Sequence, residues 1–349
     1  MGICSCDSDL PSKAELEEIN CPNNDFSSIY TVLQALDNLN TFKKVISETK
    51  SESNIKMGKS LEKIFSCDVN TDLNKFAKVI NYRIRENNKN NIELYPGKIL
   101  IKILELLNEE QKSIVDAKKK TIMINNFTKI INSNINNPEI SSFYDNLIYF
   151  ANGNNYNKIS KLFCIFFQKK IMCCYQIVNY SYEHNFVFEL NVFDIFQKFL
   201  CQNKIRVNQN LVPQLNLMEC ILETLGQRFT IYNNCQCIEC KYLYNTSPYL
   251  IFILNRRKNE NYYYCGDFLY SDEINLSPVI SGKNNSNIYT LTSIIKEKKD
   301  LYGNINFVYI TINRDNNGQF YYYENNKKKL GRFENKGYYD HILIFKQKK

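Results

Sequence analysis

The sequence contains no tryptophan and only two histidines among its 349 residues. Eleven glycines and seven prolines are few for this length and argue against long flexible linkers. No apolar run approaches the roughly 20 residues that a membrane-spanning helix requires. The sequence also has no glycine-rich phosphate loop and no histidine-rich metal motif. The shortage of histidine has the largest consequence, because hydroxyl and thiol nucleophiles are generally activated by a neighbouring base, often histidine.

The charge of the chain is mildly basic, with a formal net charge of +8. The basic residues occur in scattered short runs, at Lys118–Lys120, Lys296–Lys299 and Lys327–Lys329. Because these runs do not fall on one predicted face, they indicate solvated surface and not a nucleic-acid groove. We therefore expect no nucleic-acid partner.

The cysteines are numerous, at thirteen, and no secretory signal precedes them, since residues 1–20 are polar and acidic. This combination predicts free thiols in a reducing compartment, and hence a cytoplasmic protein. The hydrophobic share of 44% is enough for a substantial core. Residues 1–20 are predicted to be a flexible tail, and residues 21–349 one folded domain.

The first six residues, MGICSC, carry a membrane signal. Gly2 is a candidate for myristoylation, and Cys4 and Cys6 are candidates for palmitoylation. Two acyl chains anchor a protein stably, whereas one chain anchors it weakly. An ordinary disordered tail is an equally good interpretation, because Cys6 stands where Ser or Thr is usual. Peripheral membrane attachment and a plain tail therefore both remain open.

Hydrophobic periodicity divides the chain into a helical first third and a β-rich remainder. Helical periods cover residues 28–46, with Ser27 or Ser28 at the N-cap, and residues 60–67, 74–84 and 98–131. From about residue 160, short β-branched and aromatic runs are separated by Asn, Gly and Asp turns. These runs cover residues 186–192, 228–233, 249–256, 261–268, 305–312, 318–324 and 341–347. Helices followed by strands predict an α+β fold with a largely antiparallel sheet.

Four segments, in order, resemble motifs of the ubiquitin-specific proteases, a papain-like family of deubiquitinases. SSIYTVLQAL at 27–36 is similar to the family's Cys box, and residues 161–192 are similar to its fingers segment. CIECKYLYNTSPYLIFILNRR at 237–257 resembles a C-x-x-C pair followed by L-x-I-x-L-x-R. The segments YTLTSII, NFVYITI, GQFYYYEN and HILIF resemble the His box. The resemblance implies a helical thumb with an antiparallel β palm and fingers.

The resemblance also assigns four catalytic positions, and this chain departs from the family at most of them. The nucleophile falls on Ser27, and the oxyanion-stabilising position falls on Asp25. The histidine base falls on Asn306, and the residue that orients it falls on Glu324. Asn306 cannot accept a proton, and a negative charge at Asp25 opposes the developing oxyanion. The resemblance therefore implies a catalytically inactive relative that binds ubiquitin, a ubiquitinated protein or another protein partner as a scaffold.

The two histidines and Cys21 leave two alternatives. His184 lies in the fingers-like segment and His341 in the last strand, and we expect both to be structural. Cys21 precedes the first helix and has no histidine of its own. An active thiol deubiquitinase with unusual residues is one alternative, and a membrane-docked interaction module without ubiquitin binding is the other.

A structural zinc ion is the only cofactor that the motifs raise. Cys237 and Cys240 have the C-x-x-C spacing of one zinc knuckle. For the second knuckle the sequence offers only Cys173 and Cys174, which are adjacent and lack that spacing. Cys235 is a substitute ligand. We expect an eroded site, and a three- or four-thiol site remains as the alternative.

Overall fold

A computed structural model describes most of the β-rich part of the chain and several helices of the first third. The described residues are 23–48, 56–66, 76–77, 79–80, 95–112, 157–174, 176–203, 212–232, 235–258, 263–280, 287–299, 305–311, 321–324, 327–333 and 338–348. Gly2, Cys4, Cys6, Cys21 and the predicted tail lie outside them. Among the described residues, no helix has the length and apolar character needed to span a bilayer.

The helices group at the start of the chain and between the strands. They are α1 (Asn23–Asp37), α2 (Asn40–Glu48), α3 (Lys56–Ser66), α4 (Pro96–Lys112), α5 (Lys158–Phe163), α6 (Val192–Asn203) and α7 (Leu217–Leu225). Helix α5 is closed at its start by a capping box, in which Asn157 accepts from the Ser160 amide and the Ser160 hydroxyl accepts from the Asn157 amide. Such short caps are the local signals that let a six-residue helix begin at a defined residue.

The predicted helix over residues 28–46 is two helices. Helix α1 begins at Asn23, so Ser27 and Ser28 lie inside the helix and not at its N-cap. The chain breaks at Asn38 and Leu39 before α2 begins. Both helices pack an apolar face into the same core, with Val32 and Leu36 of α1 and Phe42 and Ile46 of α2 buried there.

The larger sheet has eight strands and is antiparallel except at one edge. Its order is β13-β12-β11-β10-β14-β7-β3, with β9 paired to β10, and only β3 and β7 run parallel. The strands are β3 (Phe188–Leu190), β7 (Tyr249–Leu254), β9 (Glu273–Asn275), β10 (Ile288–Lys299), β11 (Ile305–Thr311), β12 (Tyr321–Glu324), β13 (Lys327–Leu330) and β14 (Tyr339–Gln347). The predicted α+β class with a mainly antiparallel sheet is confirmed.

A smaller four-stranded sheet has the order β2-β1-β6-β5. Its strands are β1 (Ile165–Cys173), β2 (Gln176–Asn185), β5 (Gln227–Tyr232) and β6 (Cys235–Asn245). On this sheet Glu183 forms ion pairs with both Lys169 and Lys241. Burial raises the pKa of Glu183, but the two lysines outweigh it and the net pKa is lowered. A final short pair joins β4 (Leu215–Asn216) to β8 (Phe268–Leu269).

Two hydrophobic cores lie on opposite faces of the larger sheet. One core combines helices α1 to α5 with sheet residues such as Ile295, Tyr309 and Ile342. The other combines α6 and α7 with residues such as Phe252, Leu343 and Phe345. Strand β7 has every residue buried, because consecutive side chains face one core and then the other. This confirms residues 249–254 as a core strand.

Two predictions for this part of the chain are wrong. Residues 263–267 of the predicted strand 261–268 form no ladder beyond an isolated bridge from Tyr263 to Arg257, because the buried Arg256 side chain takes up their carbonyl groups. Lys296, predicted to be solvated surface, is only 5% exposed. Its ammonium group pairs with the carboxylate of Asp340.

Candidate active-site region

The nucleophile-like position is carried by helix α1, which packs against strand β11 and helix α4. Ser27 is the fifth residue of this helix, one turn inside its N-terminus. Ser28, the next residue, is 2% exposed. The helix is held in place by Ile29, Val32 and Leu36, which are fully buried in the core beneath the sheet. The apolar spacing that the sequence showed is therefore what fixes the orientation of this helix.

The base-like and acid-like positions lie on neighbouring strands. Strands β11 and β12 are antiparallel partners, and Glu324 stands opposite Val308. Asn306 lies two residues before Val308 on β11. Because alternate residues of a strand belong to the same face, Asn306 and Glu324 are positions on one face of the sheet. Diagonal positions of this kind have Cα atoms roughly 7–8 Å apart. The backbone thus brings these two predicted positions close together, but they alternate with Phe307 and Tyr309, the β11 residues that pack into the core shared with helix α1.

The alternation of side chains along β11 identifies a second candidate position for the catalytic base. Phe307 and Tyr309 pack into the core shared with the helices, and their exposures are 4% and 1%. Position 305 has the same phase as these two residues, whereas Asn306 has the phase of Val308. The residue at position 305 is Ile305. Neither isoleucine nor asparagine can accept a proton, so both assignments leave the site without a base.

A buried polar cluster lies on the helix-facing side of the larger sheet, where strands β10 and β14 supply Glu297 and His341. Arg257 Nη1 donates to the Tyr95 hydroxyl at 2.9 Å, and Arg257 Nη2 lies 3.4 Å from Glu297 Oε1. Glu297 Oε2 lies 3.6 Å from His341 Nδ1. Burial lowers the pKa of Arg257, but Glu297, Tyr95 and Tyr263 together outweigh it and the net pKa is raised. None of these residues was predicted to be a site residue, and His341 was predicted to be structural.

His341 reaches this cluster because strand β14 contains a bulge. The register with β10 slips between Ile295 and Lys296, so His341 is an extra residue between the paired positions Asp340 and Ile342. The rings of Tyr95 and Phe307 cover it, with centroids at 6.2 and 5.7 Å. Burial lowers the pKa of His341, although Glu297 acts in the opposite direction. His341 is therefore a neutral core histidine, 8% exposed, as predicted.

The other histidine lies in the smaller sheet. His184 is exposed on strand β2, opposite Phe166 in the register with β1. Its ring contacts the Phe166 ring at a centroid distance of 6.2 Å. Strands β11 and β12 belong to the other sheet, so His184 is not on the strands that carry the base and acid positions.

A second cluster of buried polar side chains lies on the opposite face of the larger sheet. No pattern in the sequence predicted this cluster. Tyr270 donates to Asp340 Oδ1 at 3.0 Å, beside the ion pair with Lys296. Arg256 Nε donates to the Asp340 carbonyl oxygen at 2.7 Å, and Arg256 Nη1 donates to the Gly266 carbonyl oxygen at 2.8 Å. A cavity of about 290 Å³ opens beside these residues. Arg256 was matched to a family motif, and its observed role is to tie the loop before β8 to strand β14.

The predicted zinc ligands do not assemble into one site. Residues 235–245 form a continuous strand, so Cys237 and Cys240, three residues apart, project to opposite faces. A C-x-x-C zinc knuckle instead requires a turn that brings both thiols to one side. Among the described residues, no group of three or more His, Cys, Asp or Glu side chains is arranged to hold a metal ion. The residues present therefore do not fit a four-thiol zinc site.

The thiols of Cys173, Cys174 and Cys237 nevertheless lie together at one end of the smaller sheet. The Cys173 and Cys174 sulfur atoms are 4.0 Å apart. Hydrogen bonding to Cys237, followed by burial and the Cys174 thiol, raises the pKa of Cys173 to about 12.

This chain is similar to known proteins in its fold and not in its sequence. No family model and no curated protein matches the sequence. Solved structures do match: Ubp8 of the SAGA DUB module with Sgf11, Sus1 and Sgf73 superposes with a TM-score of 0.64 at 13% identity, covering 99% of this chain and 72% of that chain. The chain has the fold of a ubiquitin-specific protease.

Two further matches agree with this assignment of the fold. A yeast SAGA DUB module containing a Sgf73 mutant gives a TM-score of 0.63 at 12% identity, covering 99% of this chain and 72% of that chain. The Ubp8 module bound to monoubiquitin gives 0.61 at 12% identity, covering 99% and 73%. In ubiquitin-specific-protease terms, helices α1 to α4 correspond to the thumb, the larger sheet to the palm and the smaller sheet to the fingers. The side chains of Asp25, Ser27, Asn306 and Glu324 lie outside the described ones, so their roles stay predictions.

Proposed function

We propose that this protein binds ubiquitin or a ubiquitinated protein and does not hydrolyse it. The observation that carries the proposal is the position of its two histidines. His341 is enclosed in the palm between Tyr95, Phe307 and Glu297, and His184 lies on the exposed surface of the fingers sheet. Neither is placed on the β11 strand that carries the base position.

The chemistry of acyl transfer makes the loss of the base severe. A serine hydroxyl stays protonated at neutral pH unless a neighbouring group removes its proton, so Ser27 is a weak nucleophile here. General-base catalysis alone contributes about 10²–10⁴-fold in rate. Asp25 at the oxyanion position adds a negative charge where charge develops in the transition state, which raises the barrier further. Three roles therefore change together in one site.

The retained fold supports the choice of partner. The match to the Ubp8 structure that holds monoubiquitin covers 99% of this chain. A protein can keep a binding surface when its catalytic groups are lost, because binding depends on an extended surface and catalysis on a few atoms. We accordingly assign ubiquitin as the ligand of the palm and fingers.

The test is a titration of ubiquitin that carries a dye on its C-terminal carboxyl group, followed by fluorescence anisotropy. We expect a stable rise that unlabelled ubiquitin reverses. A fall below the anisotropy of free labelled ubiquitin would mean that the dye is released by hydrolysis, which contradicts inactivity. No change at high protein concentration would contradict ubiquitin binding and favour an interaction module with another partner.

A matched set of variants tests the catalytic part separately. Ser27→Cys alone should leave the dye attached, because the thiol still has no base. Two double variants, Ser27→Cys with Asn306→His and Ser27→Cys with Ile305→His, each supply a thiol and a histidine base. Dye release should appear in the double variant whose histidine lies on the face of β11 that meets helix α1. His341→Phe is the control, and it should leave binding and dye release unchanged. Dye release by Ser27→Cys alone that is lost with His341→Phe would show that His341 is the base.

A further inference from the structure

The end of the fingers sheet brings cysteines from two strands face to face. Strands β1 and β6 are antiparallel, with Lys170 opposite Cys240 and Met172 opposite Ile238. Continuing this register by one residue places Cys173 opposite Cys237, and Cys237 is the largest cause of the raised pKa of the Cys173 thiol. Directly opposed residues of an antiparallel pair have Cα atoms about 4.5–5.5 Å apart, within the range of about 4.4–6.8 Å that disulfides require.

A third thiol connects this pair to solvent. Cys237 is 2% exposed, whereas Cys174 is exposed at the turn after β1. Cys174 has a φ of 50°, a left-handed conformation that is unusual for a residue other than glycine. Its sulfur atom lies 4.0 Å from the Cys173 sulfur atom. The cluster thus runs from an exposed thiol through Cys173 to a buried one.

We propose that Cys173 and Cys237 form a reversible disulfide that links strands β1 and β6 when the cell is oxidising. Cys240 is excluded as the partner, because it stands opposite Lys170 and projects to the other face of the sheet. A bond between the adjacent residues Cys173 and Cys174 is disfavoured as the final product, since it would close a strained ring around one peptide bond. The C-x-x-C segment that the sequence suggested as half of a zinc knuckle therefore contributes Cys237 to a redox site.

The oxidant is hydrogen peroxide, and the reaction balances with one equivalent. A thiolate of the cluster attacks one peroxide oxygen, the O–O bond breaks, and a sulfenic acid and water result. A second thiol then attacks the sulfenic sulfur, the S–O bond breaks, the S–S bond forms, and a second water leaves. Two thiols are oxidised and the peroxide is reduced to two waters. A dithiol reductant reverses the product by thiol–disulfide exchange.

The experiment is peptide mapping of the full-length reduced protein before and after treatment with hydrogen peroxide. Trypsin should place Cys173 and Cys174 in the peptide 171–198, and Cys237 with Cys235 and Cys240 in the peptide 229–241. We expect these peptides to become linked, with tandem mass spectrometry locating the bond between Cys173 and Cys237. Dithiothreitol should separate them again.

Two variants make the assignment specific. Cys237→Ser should abolish the linked peptide, whereas Cys240→Ser, a change at an equally buried thiol on the same strand, should leave it intact. A link through Cys235 or Cys240, links only between molecules, or no link at all would overturn the proposal. One equivalent of zinc retained by the purified reduced protein and lost on Cys237→Ser would also overturn it, because the thiols would then be metal ligands.

Discussion

The buried ion pair between Lys296 and Asp340 allows the most direct test of the palm structure. Asp340 is 6% exposed and pairs with the Lys296 ammonium group. Lys296→Ala removes that group and leaves the buried carboxylate without its ion-pair partner. The stability of the variant therefore measures what an unpaired charge costs at this position.

The magnitude follows from the surroundings of the carboxylate. Breaking a buried ion pair by removing one partner typically costs about 3–5 kcal/mol. Here Tyr270 still donates a hydrogen bond to Asp340 Oδ1 at 3.0 Å, which compensates part of the loss. We therefore expect Lys296→Ala to cost about 3 kcal/mol, at the lower end of that range. The double variant Lys296→Met with Asp340→Leu removes both charges and should recover most of this loss.

The assay is urea unfolding followed by circular dichroism, because the protein has no tryptophan to serve as a fluorescence probe. The matched control is Lys348→Ala, which breaks a pair with Glu273 whose side chains are 52% and 48% exposed. An exposed pair contributes less than about 1 kcal/mol. The comparison therefore keeps the substitution the same and changes only the burial of the pair.

Two outcomes would refute this reasoning. A Lys296→Ala variant as stable as Lys348→Ala would mean that the pair is solvated and not buried. A double variant less stable than Lys296→Ala alone would mean that the remaining charge is not the source of the cost. In either case the packing of β10 against β14 would need to be different from the one described.

Three further predictions concern pH, packing and redox state. Burial lowers the pKa of His341, so at mildly acidic pH the unfolded chain binds a proton that the folded protein does not. The free energy of unfolding should therefore fall as the pH drops from about 7 to about 5. His341→Phe should make the urea midpoint depend less on pH in this range. Gly266→Ala would place a Cβ atom 2.5 Å from the Tyr264 hydroxyl and should cost about 1–3 kcal/mol in the same assay; an unchanged midpoint would show that the loop relaxes freely. Peroxide treatment should raise the urea midpoint of the wild type but not of Cys237→Ser, since a bond from Cys173 would close a long loop in the unfolded chain.

Sequence patterns predicted the class of fold and several of its elements. The fully apolar run at 249–254 is the buried strand β7, and the run at 341–347, apolar from Ile342 to Phe345, lies within β14. These patterns succeed because a strand that is buried on both faces needs apolar residues at consecutive positions. The boundaries of helix α1 were less predictable, because polar residues at 23–27 carry little periodicity although they continue the helix.

The zinc motif shows where local spacing misleads. Cys237 and Cys240 have the spacing of a knuckle, but the same spacing in a continuous strand sends the thiols to opposite faces. Whether a C-x-x-C stretch turns or extends depends on the strands beside it, and β1 and β5 both pair with β6. The ladder therefore decided the geometry.

The sequence by itself limited the candidates for a histidine base to His184 and His341, because folding cannot alter composition. The motif order in turn predicted the ubiquitin-specific-protease fold. Only the tertiary structure decided what the buried charges do. Lys296 and Asp340 are 44 residues apart in sequence, and His341 meets Glu297 through a bulge in β14. Such contacts depend on the register between strands, which is set by the packing of whole sheets and leaves no mark on the local pattern of either strand.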